Sequence, residues 1–338
     1  MTFYNIPRYF WGGLKVVVPT MQKPKILILG GAGYVGGHLT DLLLESGYQV
    51  TVYDALLYES RFEKNVPFIR GDIREETVLS SLLPKFDIVI ALAAVVGDEA
   101  CALDPVLTRA VNVDSIRWLA THFKGKIIFA STCSVYGASD SNVLDEDSTL
   151  TPLSLYAETK IEAEKILLAS PNKDKHLIFR FSTLFGLGDR FSRPRFDLVV
   201  NAFAKNAAIG EPLKVFGGER WRPLVHVKDI AEAILFALRK DISGLYNIGQ
   251  SNWQITNIAK EVRSVVGKAV AIQEVSLRSE DLRNYKVSAK KLEAAGFVPK
   301  RTLEEGIREV YTLVSEGRIK NTGDPVYSNA AFLKEKTS

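Results

Sequence analysis

The chain of 338 residues is 46% hydrophobic and 24% charged, a composition that allows a large buried core in one or two domains. Its two cysteines and four scattered histidines exclude a disulfide framework and a four-ligand zinc site, so we expect no metal and a reducing, cytoplasmic compartment. A formal net charge of +4 does not indicate a nucleic-acid partner, and no apolar run reaches the roughly 18 residues of a membrane span.

The first 22 residues are rich in aromatic side chains and are interrupted by proline and glycine. They lack the basic start, the apolar stretch and the small-residue cleavage site of a signal peptide. We therefore predict that residues 1–22 are an N-terminal extension outside the core, with a small docking arm as the alternative.

From Lys25 onwards, short apolar runs alternate with amphipathic helical stretches. A first helix is predicted over 34–46, and strands are predicted at KILIL, VTVYD, VPFIRGD, FDIVIALAA, KIIFAS and HLIFRF. Strands that are apolar throughout are buried on both faces, which is typical of parallel sheets covered by helices. The pattern predicts an α/β fold with a doubly wound parallel sheet.

After about Phe181 the pattern loosens into loops rich in Gly, Pro and Arg, with helices such as DIAEAILFALRK between them. We predict a cofactor-binding domain over 23–180 and a smaller, mainly substrate-binding region over 181–330, with some segments that return to the large sheet. Ligands of open α/β sheets bind at the carboxyl ends of the strands, so a cleft is expected between the two regions.

A glycine-rich loop, GGAGYVGG, lies between the first predicted strand and the first predicted helix. Gly30 permits a tight turn, Gly33 lets the backbone approach a diphosphate, and Gly36 lets the helix pack on the strand. Asp54 ends the next strand, where a carboxylate suits two ribose hydroxyls and repels a 2′-phosphate. The loop therefore predicts NAD and not NADP; a purely structural turn with Asp54 as a helix cap is the alternative.

A second group of residues supplies acid–base chemistry. Thr132 lies in STCSVYG, at the end of the fifth predicted strand, and YAETK places Tyr156 and Lys160 one helical turn apart on one face. An ammonium and a positive nicotinamide both lower the pKa of a phenol, so Tyr156 is predicted to become a base that removes a hydroxyl proton. A solvated helix face is the alternative.

These motifs, in this order, resemble the extended short-chain dehydrogenase/reductase family and its NAD-dependent epimerase/dehydratase group. The resemblance covers about residues 24–315 and includes ALAA, RFSTLFG, RWRPLVHVKDIAEAI and RNYKVSAKKLEAAGF. It implies a Rossmann-type domain with roughly seven parallel strands, tightly bound NAD, a nucleotide-sugar substrate and a homodimer.

The resemblance also implies roles for individual residues. Those that would contact the cofactor are Gly30, Gly33, Tyr34, Val35, Gly36, Asp54, Asp72, Ile73, Leu92, Ala93, Ala94, Asn112, Tyr156, Lys160 and Phe181. Those that would contact the substrate are Thr132, Thr183, Phe216, Arg222 and Arg283. The two arginines would bind the diphosphate of the nucleotide sugar, or else form surface salt bridges. Phe216 would stack near the base, or else belong to the core.

Departures from the family pattern favour one reaction. Sugar 4,6-dehydratases resemble each other in an Asp-Glu pair after the threonine, and the decarboxylases carry a glutamate at the position of Ser134; this chain has Cys133 and Ser134. Cys133 is also one residue away from the catalytic cysteine of the 3,5-epimerases, which predicts a packing role. Dehydration is therefore disfavoured.

Oxidation and reduction at one sugar carbon is the chemistry that is left. We predict a nucleotide-sugar epimerase that acts most simply at C4, although 4-epimerases usually have asparagine at the position of Thr183. A nucleotide-sugar 4-dehydrogenase or ketoreductase is the alternative within the class. A non-catalytic NAD sensor and an oxidoreductase on an unphosphorylated substrate are alternatives from other classes; the complete triad argues against the first and the two arginines argue against the second.

Overall fold

The computed structural model describes residues 23–267, 269–276 and 282–337, so the predicted extension over 1–22 lies outside the described residues. The strands are β1 (Lys25–Leu29), β2 (Gln49–Asp54), β3 (Phe68–Arg70), β4 (Ile88–Ala91), β5 (Lys126–Thr132), β6 (Ala138–Leu144), β7 (Leu177–Phe181), β8 (Thr183–Phe185), β9 (Leu213–Phe216), β10 (Trp221–His226), β11 (Gly244–Ile248), β12 (Ser251–Gln254), β13 (Ile272–Val275) and β14 (Asn284–Val287).

The helices are α1 (Gly36–Glu45), α2 (Glu76–Leu82), α3 (Asp98–Leu103), α4 (Pro105–Arg109), α5 (Ser115–His122), α6 (Leu155–Ala169), α7 (Val199–Ala208), α8 (Val227–Lys240), α9 (Ile255–Val266), α10 (Lys290–Ala294), α11 (Leu303–Ser315) and α12 (Asn329–Thr337). None of these described helices is both long enough and apolar enough to cross a membrane.

Seven strands form the large sheet in the order β11-β7-β5-β4-β1-β2-β3, and every pair in it is parallel. The predicted doubly wound parallel sheet is confirmed. The chain builds outwards from β1 to β3 and then returns to place β4 on the other side of β1. A cleft therefore opens at the carboxyl ends of β1 and β4, where the direction of winding changes.

Strand β1 shows why the sheet is covered on both sides. Its side chains alternate between two apolar cores: Ile26 and Ile28 lie in one core, and Leu27 and Leu29 lie in the other. All four are completely buried, and each such burial contributes about 1.5–3 kcal/mol to folding. Helices α1 and α8 pack against each other over the first core.

The second half of the chain contributes three smaller sheets, β12-β10-β8, β13-β9 and β14-β6, and a third apolar core. It also returns to the large sheet, because β11 pairs with β7 along its whole length. Parallel pairing of β14 with β6 brings residues near 284 beside the segment that follows the fifth strand. Both halves of the chain therefore border the cleft.

Candidate active site

The glycine loop between β1 and α1 contains two glycines that protein packing requires. Gly30 has φ +84°, and a Cβ there would lie 2.5 Å from the backbone nitrogen of Ala93. A Cβ on Gly36 would lie 2.5 Å from the carbonyl oxygen of Gly30. Any larger residue at these positions would push the loop away from β4 or α1.

Gly33 needs a different explanation. The nearest described atom to a Cβ on Gly33 would be the Gly30 carbonyl oxygen, at 3.5 Å, which is an ordinary contact. No packing within the described part of the protein therefore demands a glycine there, whereas a ligand whose diphosphate approaches the backbone does. Val35 precedes α1 as its N-cap residue, and the N–H groups of a helix start attract phosphate oxygens. The loop fits the diphosphate of a dinucleotide.

Asp54 shapes this loop from the end of β2. Its carboxylate accepts hydrogen bonds from the backbone N–H groups of Ala32, at 3.0 Å, and of Leu56, at 2.8 Å. Burial raises the pKa of this carboxyl group, although the two N–H donors oppose that effect. The structure thus places Asp54 against the glycine loop, and its contact with a ribose stays a prediction.

The next acidic residue, Asp72, lies at a turn after β3. Arg74 pairs with it through two hydrogen bonds of 2.9 and 2.8 Å, which hold the pKa of its carboxyl group below its usual value. Ile73 beside it is buried. The side chain of Asp72 therefore faces an arginine of its own turn, and the predicted contacts of both residues with adenine stay predictions.

The loop after β4 is fixed by a buried amide. The backbone N–H groups of Leu92 and Ala93 both bond to the carbonyl of Leu29, at 2.8 and 2.9 Å. Asn112, in a π-helical turn over Ala110–Asp114, exchanges two hydrogen bonds of 2.9 Å with the backbone of Val95. Asn112 thus positions the loop that carries Leu92, Ala93 and Ala94 at the switch point of the sheet.

The structure brings the three predicted catalytic residues together. Thr132 ends β5, and Tyr156 lies in the first turn of α6, which Ser154 caps by accepting the N–H of Ala157. The Thr132 side chain lies close enough to the phenol of Tyr156 to oppose part of the rise in its pKa, and its hydroxyl donates to the Oγ of Ser134 at 3.2 Å. The Nζ of Lys160 lies 6.0 Å from the centre of the Tyr156 ring and donates to the carbonyl of Ala130 at 2.8 Å.

Burial is the largest influence on the pKa values of Tyr156 and Lys160. It raises the pKa of the Tyr156 phenol above the usual value of 10, and the carboxylate of Asp98 adds to that effect. It lowers the pKa of the Lys160 ammonium to about 8. Among the protein groups alone, desolvation of the phenolate therefore has the largest effect on this pKa, and its lowering by the ammonium together with a positive nicotinamide stays a prediction.

Sequence reasoning assigned no role to Asp98, which begins α3 after Gly97. Its carboxylate accepts a hydrogen bond of 2.6 Å from Ser154 and forms an ion pair of 3.3 Å with the Nε of Arg283. The Nη1 of Arg283 also donates to the Oγ of Ser134 at 3.3 Å. Arg283 therefore lies close to Thr132, whose hydroxyl also bonds to Ser134. Only the position of the VGDEAC segment after a buried strand could have indicated Asp98.

The other predicted substrate residues lie in the smaller sheets or beside them. Arg222 is buried and donates to the carbonyls of Trp221, at 2.9 Å, and Arg283, at 2.5 Å, so it supports the segment that carries the second arginine. Thr183 starts β8 and pairs with β10. Phe216 is 40% exposed and is therefore not a core residue. Their contacts with substrate stay predictions.

Thr132 has one neighbour across the sheet, Phe181, and one along the sequence, Cys133. Phe181 ends β7 directly opposite Thr132 in the parallel register. Cys133 is completely buried, its thiol donates to the carbonyl of Arg180 at 3.3 Å, and burial raises its pKa to about 12. Such a thiol is inert at neutral pH, in agreement with a packing role.

A further lining residue is Tyr34, whose hydroxyl donates to the carbonyl of Gly186 at 2.6 Å. It joins the glycine loop to the segment after β8.

Across the described ranges, no three His, Cys, Asp or Glu side chains are grouped so that they could hold a metal ion.

Comparison with known proteins agrees with this geometry. UDP-glucose 4-epimerase from Thermus thermophilus, solved in complex with NAD, is 28% identical with a TM-score of 0.76, over 87% of this chain and all of that one. UDP-glucuronic acid 4-epimerase from Bacillus cereus, solved with UDP-glucuronic acid and NAD, is 27% identical with a TM-score of 0.76, over 86% and 99% of the two chains.

A third relative, UDP-N-acetyl-alpha-D-glucosaminuronate decarboxylase from Bacillus cytotoxicus, is 27% identical over 85% of this chain and 97% of its own length. Residues 26–249 match the NAD dependent epimerase/dehydratase family. The chain belongs to this family, and the predicted cofactor, NAD, is thereby confirmed as the cofactor of its family.

Proposed function

We propose that this chain is an NAD-dependent nucleotide-sugar epimerase that inverts C4 through a transient 4-keto sugar. The observation that carries the proposal is the cluster of Thr132, Tyr156 and Lys160 at the carboxyl end of β5, with no carboxylate at either of the two positions after the threonine. Relatives that are similarly distant include 4-epimerases and a decarboxylase, so the choice between reactions rests on these side chains.

Tyr156 has the role of proton acceptor in this proposal. Its phenolate takes the proton of the C4 hydroxyl and returns it after the keto sugar has turned over, and Thr132 holds the same oxygen by a hydrogen bond. The ammonium of Lys160 stabilises the phenolate. NAD, when bound, supplies a reversible hydride acceptor and a positive charge that favours the phenolate form of the tyrosine.

The surroundings of Thr132 disfavour elimination of water or loss of carbon dioxide. Cys133 is buried with a thiol that stays protonated at neutral pH, and Ser134 contacts the Tyr285 hydroxyl at 3.4 Å. The nearby carboxylate of Asp98 already bonds to Ser154 and Arg283. A single site for proton and hydride exchange needs no further acid–base pair.

The test is to incubate the purified protein with UDP-, dTDP- and GDP-hexoses without added cofactor and to follow the sugar by NMR. Formation of the C4 epimer supports the proposal. A 4-keto-6-deoxy sugar would instead identify a dehydratase. In a second incubation with added NAD, a keto sugar formed in proportion to that NAD would identify a 4-dehydrogenase.

Tyr156→Phe removes only the hydroxyl. We expect the rate of epimerisation to fall at least about 100-fold, because proton transfer by a positioned group contributes about 10²–10⁴, while bound NAD is retained. Tyr246→Phe is the control, since Tyr246 packs against the sheet core at β11. An active Tyr156→Phe enzyme would contradict the assignment.

Assembly as a homodimer and a cytoplasmic location are further parts of the proposal. Val106 on α4 is 81% exposed, which offers apolar surface to a second protomer. Cys101 and Cys133 are both free and buried, as suits a reducing compartment.

A further inference from the structure

The C-terminal end of the chain reaches back to the catalytic cleft. We call residues 325–336 the C-terminal arm; it contains all of α12 except its last residue, and α12 packs against α3. Leu333 of the arm lies in a small apolar cluster with Val95, Cys101 and the catalytic Tyr156. The family match covers residues 26–249, so the arm lies outside the matched residues.

Asn329 anchors the arm to two loops that border the cleft. Its side-chain nitrogen donates to the carbonyl of Val96, after β4, at 2.8 Å, and its backbone N–H donates to Asp197 at 3.0 Å. Its side-chain oxygen accepts a hydrogen bond from the Nη2 of Arg193. Asn329 is 4% exposed, so these bonds are shielded from water and fix the position of Arg193.

Two contacts hold the Arg193 side chain, and one of its nitrogens has no hydrogen-bond partner among the described residues. Its guanidinium lies 3.9 Å from the centre of the Tyr58 ring, and Tyr58 in turn packs in a tilted arrangement against Phe332 of the arm, with ring centres 5.0 Å apart. The Nη1 of Arg193 is buried and has no hydrogen-bond partner among the described residues. A buried, unpaired nitrogen on a cation is costly, and an anion placed there removes the cost.

The segments around Arg193 indicate which anion this is. Glu59 accepts the backbone N–H of Arg193 at 3.4 Å, and it lies in the segment that follows Asp54 and β2. The neighbouring Arg195 lies 6.0 Å from the ring centre of Tyr34, in the glycine loop. The segments that follow β1, β2 and β4 therefore lie near this position, and a dinucleotide binds along the carboxyl ends of such strands.

The nearby charges leave Arg193 available to an anion. Asp197 is paired with Arg195 through hydrogen bonds of 2.7 and 2.9 Å. Burial raises the pKa of Glu59 to about 7, so its negative charge is reduced at neutral pH. Burial and the neighbouring Arg195 lower the pKa of Arg193 only to about 10, which keeps its guanidinium charged.

We propose that Arg193 donates a hydrogen bond from Nη1 to a diphosphate oxygen of bound NAD, and that the C-terminal arm holds it in that position. The inference rests on NAD binding by the family and not on the epimerisation proposed above. The same chemistry, a diphosphate, is also present in a nucleotide sugar, so the experiment must separate the two ligands.

Arg193→Gln in the full-length chain tests the proposal, with Arg190→Gln as the matched control. Arg190 lies in the same loop but is exposed, so both variants lose one positive charge. The first readout is the amount of NAD in freshly purified protein, and the second is the Kd for NAD after removal of bound nucleotide. We expect Arg193→Gln to raise this Kd about 10- to 100-fold and the control to leave it unchanged.

Asn329→Ala provides an independent variant that leaves Arg193 in place. Because it removes the anchor and not the cation, we expect a smaller rise in the Kd for NAD, of about 3- to 10-fold. Thermal unfolding of each nucleotide-free protein shows whether it is folded. If Arg193→Gln does not fold, the result for Asn329→Ala decides, and an unchanged Kd overturns the proposal.

Binding of UDP distinguishes the two sources of diphosphate. We expect both variants to bind UDP as the wild type does. A loss of UDP affinity with unchanged NAD affinity would assign Arg193 to the substrate and overturn the proposal, and so would unchanged affinity for both ligands. All these readouts are independent of turnover, so they stay valid even if the epimerase assignment fails.

Discussion

At the proposed catalytic centre, the ammonium of Lys160 is almost completely shielded from water. Lys160 is 3% exposed, and its ammonium interacts with the carbonyl of Ala130 and with the faces of Phe129 and Tyr156. These contacts compensate only part of the lost hydration, as its lowered pKa shows. The cost is the expected counterpart of a site that must stabilise a phenolate when substrate is bound.

The lowered pKa makes a prediction about stability against pH. The folded protein releases the Lys160 proton near pH 8 and the unfolded chain near 10.5, so between these values the unfolded chain binds more protons and stability rises with pH. Lys160→Met should lack this rise. We expect the free energy of unfolding of the wild type, relative to that of Lys160→Met, to increase by about 2 kcal/mol between pH 8 and 10.

Urea unfolding of both proteins at several pH values measures this difference. Lys165→Met is the control, because Lys165 is exposed on the same helix. A gap between the wild type and Lys160→Met that does not change with pH would show that the ammonium is not desolvated.

Single residues were predictable from sequence where their chemistry follows from the local pattern. Thr132, Tyr156 and Lys160 meet because a strand end and a helical spacing of four residues determine their placement. Asp98 and Arg193 were not predictable as site residues. Each acquires its neighbours from segments far away in the chain, as Arg193 does from Asn329, 136 residues later.

At the scale of elements, a buried ion pair locks α6 onto the sheet. Glu164 pairs with Arg180 of β7 through hydrogen bonds of 3.0 and 2.7 Å, and it accepts a hydrogen bond of 2.5 Å from Ser131 of β5. Both partners are almost completely buried. Glu164 lies one turn beyond Lys160 on α6, so the pair fixes the catalytic helix against the strand that ends at Thr132.

Removing one partner of the Glu164–Arg180 pair should therefore lower the free energy of unfolding more than removing both. Glu164→Gln leaves the charge of Arg180 buried and should lower the free energy of unfolding by about 3–5 kcal/mol, whereas Glu164→Leu with Arg180→Met should lower it less. Glu162→Gln on the same helix is the control, because its salt bridges are exposed and should change stability by less than about 1 kcal/mol.

Chemical denaturation of the three variants and the wild type gives these values. Equal effects of Glu164→Gln and Glu162→Gln would mean that the buried pair does not stabilise the packing of α6. A double variant that is less stable than Glu164→Gln would contradict the argument from desolvation.

Elements were predictable where apolar side chains run without interruption. All six strands predicted before residue 182 are present, although the third is only Phe68–Arg70 and the fourth only Ile88–Ala91. Strand β11, GLYNI, was not predicted, because it contains a glycine and an asparagine. Asn247 is tolerated inside the sheet because it accepts a hydrogen bond of 2.9 Å from Tyr136, a contact that local sequence cannot show.

At the scale of the molecule, one carboxylate ties together three segments of the second half of the chain. Glu309 of α11 accepts hydrogen bonds from the backbone of Leu187, at 3.1 Å, and from Lys228, at 2.5 Å, and it contacts His226 at 3.1 Å. Lys228 lies in α8, which packs on α1 behind the glycine loop. Glu309 thus joins α11 to the segment after β8 and to α8, and α8 packs on α1 of the large sheet.

The same contacts predict how the molecule responds to acid. Despite burial, the hydrogen bonds from His226 and Lys228 lower the pKa of Glu309 from 4.5 to about 2. The folded state therefore favours the carboxylate, and the resulting stability is complete above pH 4.5 and is lost as the pH falls towards 2. Glu309→Gln should be about 2–3 kcal/mol less stable than the wild type at pH 7, with roughly half of that gap left at pH 3. Glu304→Gln, whose carboxylate forms only an exposed pair with Arg308, should show no such trend. Denaturant unfolding at pH 7, 5, 4 and 3 measures this difference in stability. If it were as large at pH 3 as at pH 7, the contacts of Glu309 would depend on the shape of its side chain and not on its charge.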